Sequence, residues 1–355
     1  MRWIALALLL AAGIQGAASA APSPRVRTLA KASGPIVAFA QDGPRFAWLE
    51  AGRRGRCNQI HVRDGSRKIR PLPSTSSRNR TCRWRRLWRT KLALAGDRVL
   101  WTLQSSGAAE VDRVLTTSPQ DRRERELEAL AHTKAGVGEW LGGLTGDRTM
   151  LAYTKVTIAG PDCQTAPCPV RISGGETVRI VKGKRRSVPN TKGGIEIAAG
   201  SGHFVLLPPT KTSQNGGRPF AGPGTAISVR ENVSGKMIGV LSPPGLVSEL
   251  ALSGTTAVAL TADGGRRAIE LYNLKTLRFV GDSVVPFPAR DVSISTSGMI
   301  VYRVNSQIWS IDPSGRRRLL VKAPTTPIGL SIEGNRVAWA ENESGVGRIR
   351  TLDLR

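Results

Sequence analysis

Apolar and polar positions alternate along this chain in a repeating sentence: a short apolar segment, a glycine turn, then a second apolar segment. The sentence occurs seven times, at Ile36 to Ala40 before Gly43, Leu92 to Ala95 before Gly96, Leu141 to Thr145 before Gly146, Ile195 to Ala199 before Gly200, Leu250 to Ser253 before Gly254, Val292 to Ser295 before Gly298, and Ile328 to Ile332 before Gly334. Successive glycines are 53, 50, 54, 54, 44 and 36 residues apart, which brackets the roughly 40 to 50 residues of a repeat made from one four-stranded sheet. The second segments, such as Phe46-Ala-Trp-Leu, Val99-Leu-Trp-Thr-Leu and Ile300-Val-Tyr, are β-branched and aromatic and too short for helices, so they predict strands.

Third strands follow at Gln59-Ile-His-Val-Arg, Glu110-Val-Asp-Arg-Val-Leu, Thr177-Val-Arg-Ile-Val, Ala226-Ile-Ser-Val-Arg, Ala268-Ile-Glu-Leu-Tyr, Gln307-Ile-Trp-Ser-Ile and Arg348-Ile-Arg-Thr-Leu, most with the alternation of a half-buried sheet. Turns such as Asp64-Gly65 and Lys182-Gly183 lead to fourth strands near Ile69, Leu127, Val188, Met237, Phe279 and Leu319. The segment Asp121 to Ala131 is rich in helix formers, yet repeat context predicts a strand there. The seventh repeat has no fourth strand after Arg348 to Leu352, and the stretch Val26 to Ala32 is expected to supply it. Pairing the two ends in one sheet closes a ring and removes an open strand edge.

With those repeats the chain resembles the seven-bladed β-propeller family, and units such as Gln307-Ile-Trp-Ser-Ile-Asp-Pro-Ser-Gly-Arg-Arg-Arg-Leu are similar to the TolB-type, WD40-like repeats of exported bacterial proteins. The resemblance implies an all-β, seven-bladed propeller of four-stranded blades, the last closed by the N-terminal strand. It leaves function open, because propellers include scaffolds, carbohydrate binders, hydrolases and lyases. Alternating strand direction places the connections between second and third strands, and those between successive blades, on one face. The long connections Ala51 to Asn58, Pro73 to Thr90, His132 to Trp140, Val156 to Gly175 and Pro208 to Thr225 all fall on that rim face. Trp48, Trp101, Tyr153, Tyr302 and Trp339 recur in second strands and are expected to pack between blades.

Composition adds export and charge to this picture. Met1-Arg2, the apolar run Trp3 to Ile14 and Ala18-Ser19-Ala20 read as a secretory signal peptide over residues 1–20, leaving a propeller domain over 21–355. No later apolar run approaches the roughly 18 residues of a membrane span, so the expected location is secreted or at the cell envelope, as a monomer. Export permits disulfides, and of three pairings the spacing favours Cys57 with Cys82 and Cys163 with Cys168. Zinc is the weaker alternative, because no Cys-x-x-Cys clip is present and His61, His132 and His203 are scattered.

The formal net charge is +26, which favours anionic partners or simply reflects a taste for arginine. Between Arg53 and Lys91 there are fourteen basic residues and one acid, Asp64. The candidate ligand-binding residues are Arg53, Arg54, Arg56, Arg78, Arg80, Arg83, Trp84, Arg85, Arg86, Trp88 and Arg89. Arginine holds phosphate or carboxylate bidentately and tryptophan stacks on sugars or bases; the same tryptophans are equally suited to packing between blades. No hydrolase elbow, zinc-protease pair or calcium loop is present. Among scattered residues, His132, Asp162, Asp263, Glu249 and Asp291 are the candidates for acid or base work in a central funnel. The expected function is therefore an exported, non-catalytic binding or scaffold module for an anionic polymer or a protein at the cell surface, without cofactor or metal. The alternative is a propeller-type hydrolase or lyase acting on carbohydrate or peptide.

Overall fold

The computed structural model describes residues 25–52, 58–65, 69–72, 90–105, 109–133, 136–148, 150–160, 170–212 and 218–354. Every regular element among them is a strand, and no helix there is long and apolar enough to cross a membrane. The N-terminal strand β1 (Val26–Lys31) stands apart from the sheet that follows it, β2 (Ile36–Asp42), β3 (Arg45–Glu50), β4 (Gln59–Asp64) and β5 (Arg70–Pro71). Next come β6 (Leu92–Ala95), β7 (Arg98–Ser105), β8 (Ala109–Thr117) and β9 (Arg125–Thr133), then β10 (Gly138–Asp147), β11 (Met150–Ala159), β12 (Arg171–Val181) and β13 (Lys184–Ser187). The following sheet holds β14 (Glu196–Gly200), β15 (His203–Leu207), β18 (Ile227–Glu231) and β19 (Met237–Leu241), with a small hairpin of β16 (Lys211–Thr212) and β17 (Pro219–Phe220) inserted between its second and third strands. Two more sheets are β20 (Leu246–Ser253), β21 (Thr256–Asp263), β22 (Arg266–Asn273), β23 (Arg278–Val284) and β24 (Ala289–Ile294), β25 (Ile300–Val304), β26 (Gln307–Ile311), β27 (Arg317–Lys322). The last is β28 (Ile328–Glu333), β29 (Arg336–Glu343) and β30 (Val346–Asp353), completed by β1.

The closure expected from the sequence is present: β1 runs antiparallel to β30, with Val26 opposite Leu352 and Lys31 opposite Arg348. Residues 125–133 are a strand, as repeat context predicts over helix propensity. The expected count of seven separate four-stranded sheets is not what the hydrogen bonds give. Five sheets are separate, while β6 through β13 form one eight-stranded sheet. The cause lies in the connection expected at His132 to Trp140, which is a continuation of the ladder and not a long loop: β9 runs to Thr133, β10 starts at Gly138, and His132 pairs with Gly138. The eight-stranded sheet folds back on itself there, because Leu100, Val114 and Leu130 from its first half share one apolar cluster with Leu151, Tyr153 and Val178 from its second. The connection expected from Val156 to Gly175 is also shorter, since β11 extends to Ala159 and β12 begins at Arg171.

First strands touch in cyclic order, β2 to β6, β10, β14, β20, β24, β28 and back to β2. Second strands are buried on both faces, which is why they read as unbroken apolar runs. Their aromatic side chains pack against the preceding sheet: Trp48 clusters with Ala338 and Ile349, Trp101 with Ala47 and Leu49, Tyr302 with Val258 and Leu260, and Trp339 with Val301 and Ile308. All five residues expected between blades are fully buried. First strands make no ladder with one another, so side chains from neighbouring sheets satisfy their backbone groups. Asp42 Oδ2 accepts from the Gly96 N–H at 2.6 Å, Thr145 Oγ1 from Ala199 at 2.9 Å, and Asn342 holds both the N–H and the carbonyl of Ile36 at 2.7 and 2.8 Å.

Candidate functional site

First strands start, and second strands end, on the rim face, so that face is where connections of variable length surround the ring's axis. A cavity of about 470 Å³ opens there, walled by Lys91 at the start of β6, Trp140 and Gly142 on β10, Glu196 on β14 and Phe220 on the inserted β17. A second cavity, of about 600 Å³, opens toward the opposite face, where Asp42, Asp147, Arg148 and Glu333 gather at the glycine turns. Glu196 lines both and so marks the waist of the channel.

The rim cavity is built around a bulge. The β10–β11 register slips between Leu141 and Leu144, which turns the intervening backbone toward the channel. Lys91 Nζ donates to the Gly142 carbonyl at 2.8 Å. Thr154 Oγ1 accepts from the Gly143 N–H at 2.9 Å and donates to the Gly194 carbonyl at 2.7 Å, fastening β10 to the segment before β14. Both glycines are required by close approach, since a Cβ on Gly142 would lie 1.9 Å from the Gly194 carbonyl oxygen.

Electrostatics separates the acidic groups. Burial pushes the Glu196 carboxyl up, opposed by Lys91, yet among the described residues the two do not close to an ion pair. Asp112 on β8 is pushed up by burial and by Glu110, against the pull of His132, Lys91 and the Leu141 N–H. Glu249 on β20 is raised to about 7 by burial, with Asp291 and Glu196 adding to the rise and the Val292 N–H, 3.0 Å away, opposing it. Asp291 is held by Arg303 Nε at 2.5 Å. A carboxyl that keeps its proton near neutrality can donate a hydrogen bond or act as an acid.

Of the acid and base candidates, the structure brings Glu249 on β20 and Asp291 on β24 within electrostatic reach of each other, beside the Val292 N–H that donates to Glu249 Oε2. His132 instead stacks on Trp140, ring centroids 3.5 Å apart, with Nε2 3.3 Å from Glu110. Asp263 is exposed at the end of β21. Asp162 lies outside the described residues, as do all eleven rim candidates, Arg53, Arg54, Arg56, Arg78, Arg80, Arg83, Trp84, Arg85, Arg86, Trp88 and Arg89, and the cysteines Cys57, Cys82, Cys163 and Cys168. Among the described residues no three His, Cys, Asp or Glu side chains are grouped to hold a metal ion. Sequence reasoning missed Glu196 as a site residue, although an acid in the first strand Glu196-Ile-Ala-Ala-Gly200 is itself a signal.

Glu249 makes stability depend on pH. Its folded value of about 7 lies above the ordinary 4.5, so its contribution is fully present below the ordinary carboxylate range and is lost as pH rises through 7. The loss is at most about 3 kcal/mol. Glu249→Gln keeps an acceptor for Val292 and is expected to flatten this part of the profile, melting higher than the parent at pH 8 and about equal at pH 5. Parallel melting curves for the two proteins across that range would remove Glu249 from the account.

Comparison with solved structures agrees on architecture. The β-propeller domain of the Trilobed protease from Pyrococcus furiosus, described as having an open velcro topology, superposes with a TM-score of 0.51 at 9% identity, over 91% of this chain and 94% of that one. Sqt1 from Saccharomyces cerevisiae gives 0.49 at 8% identity over 94% and 99% of the two chains. BamB from Moraxella catarrhalis gives 0.42 at 10% identity over 89% and 82%. No protein-family model and no curated protein sequence matches the chain. At these identities the likeness speaks for fold alone, and with the ring of sheets above it shows that this chain folds as a β-propeller.

Proposed function

We propose that residues 21–355 form a seven-bladed propeller, exported by a signal peptide over residues 1–20, that works as a non-catalytic binding module for an anionic polymer or an acidic protein at the cell envelope. The seven-fold reading is supported by the cyclic contacts of seven first strands and by counting the eight-stranded sheet as two blades folded face to face.

One observation carries the binding reading. The basic connections leave and enter the ring on the face of the rim cavity: the first joins β3 to β4, and the second returns through Thr90 to Lys91, which lines that cavity. Both basic connections thus begin or end on the face that carries a built concave site, where binding groups on a rigid scaffold are most effective. The experiment is elution from immobilised heparin across a salt series. Arg83, Arg85, Arg86 and Arg89 changed together to Ser are expected to lower the slope of log affinity against log salt by about 3. Retention unchanged by the four substitutions would reject the rim as the anion site.

A propeller-type hydrolase or lyase is the second reading, favoured by the raised carboxyl of Glu249, which feels both Asp291 and the channel-lining Glu196. It requires turnover of a carbohydrate or peptide that Glu249→Gln abolishes, whereas the binding module loses no ligand affinity on that change.

A further inference from the structure

The outermost strand of each sheet has one unpaired side, and such edges invite pairing with other chains unless charged residues guard them. Here the guards are basic: Arg27 and Lys31 on β1, Arg70 on β5, Lys184, Arg185 and Arg186 on β13, Arg278 on β23, and Arg317, Arg318 and Lys322 on β27. Part of the chain's positive charge is explained by this protection. One outer strand breaks the rule. β19 reads Met237-Ile-Gly-Val-Leu241 and carries no charge, with Met237 54%, Ile238 40% and Val240 47% exposed.

The apolar surface continues onto the neighbouring sheet, where Phe279 and Val280 on β23 are 56% and 63% exposed. Leu277, in the turn before β23, covers Gly239 so closely that a Cβ there would sit 2.1 Å from Leu277 Cδ1, which joins the two strands into one patch. Lys236, Lys275 and Arg278 are all exposed at this patch, and the acid on β23, Asp282, is paired with Arg266. A second copy would bring the same charge of +26 against this one, while an acidic segment would be drawn to it.

We propose that the free edge of β19 takes up an extended segment of a partner protein as a fifth strand, the segment being apolar at alternate positions and acidic at its ends. Backbone hydrogen bonds along β19 supply affinity, the Met237, Val240 and Phe279 surface receives alternate side chains, and Lys236 and Arg278 select the acidic ends. This surface lies on the outer edge of the ring and stands independently of the rim.

The probe is a fluorescent nonapeptide of alternating valine and threonine flanked by two acidic residues at each end, titrated into the full chain by anisotropy. Saturable binding is expected, weakened at least ten-fold by Val240→Asp, by Phe279→Ser, by N-methylation of alternate peptide amides, and by exchanging the acidic ends for lysines. Both substituted side chains are exposed, and a melting temperature near the parent's confirms that folding is intact. The proposal is overturned if no saturable binding occurs up to millimolar peptide, if the lysine-ended peptide binds equally, or if sedimentation shows instead a dimer of this chain that Val240→Asp dissolves.

Discussion

Deleting residues 21–33 is expected to lower the melting temperature by roughly 10 °C or more and to broaden the transition. The deletion removes β1 from its ladder with β30, together with Ala30 and Ala32 from the cluster that also holds Trp48, Phe46, Ala338 and Ile349. It also strips the bond from the Ala32 N–H to the Gly347 carbonyl, 2.8 Å, and leaves β30 as a new edge. Because the lost strand closes the ring, the damage falls on the junction between the first and last sheets and not on a loose end. Calorimetry reads both effects, and a transition as sharp and as high as the parent's would mean that the ring does not depend on β1.

Gly142→Ala is expected to cost more than about 3 kcal/mol, read as a shift of the denaturant midpoint at unchanged slope. The added carbon would meet the Gly194 carbonyl oxygen at 1.9 Å and Thr154 Oγ1 at 2.4 Å. One of these is backbone of the segment that leads into β14, so relief requires the β10 bulge to move away from it. That movement also carries off the carbonyl on which Lys91 rests, coupling stability to the shape of the rim cavity. Gly174→Ala is the control, because a Cβ there meets only the Thr157 Cβ at 4.0 Å and the substitution is expected to be nearly neutral. Equal midpoints for both variants would show that the close approach of β10 and β14 is absent.

Architecture was legible in the sequence because period-two strands and glycine turns are local signals repeated along one chain. The closure by Val26 to Ala32 followed from the missing seventh fourth strand, and the buried second-strand aromatics followed from their regular spacing. The merger of β6 through β13 into one sheet was hidden, since it depends on β9 and β10 extending a few residues past their repeats, and the polar sequence His132 to Trp140 resembles a loop. The site was less legible. Lys91 was visible only as the end of a basic run, and nothing in Glu196 alone says that it faces the same cavity. That meeting is produced by the ring, which brings together residues more than a hundred positions apart. Glu249 and Asp291 were visible as acids, but their proximity comes from the packing of β20 against β24 and the raised proton affinity of Glu249 from burial, neither of which a local pattern reports. The bare edge of β19 is readable in retrospect, because its neighbours in the repeat carry arginine or lysine and it does not.

The claim on which the rest depends is that the two ends of the described chain share one sheet, which fixes the rim face and every connection assigned to it. Hydrogen exchange of the intact protein tests it directly in peptides covering 26–31 and 346–353. The account predicts that amides of both segments are protected together and open with the same free energy, close to that of global unfolding. Exchange of residues 26–31 within seconds, while 346–353 stays protected, would contradict it.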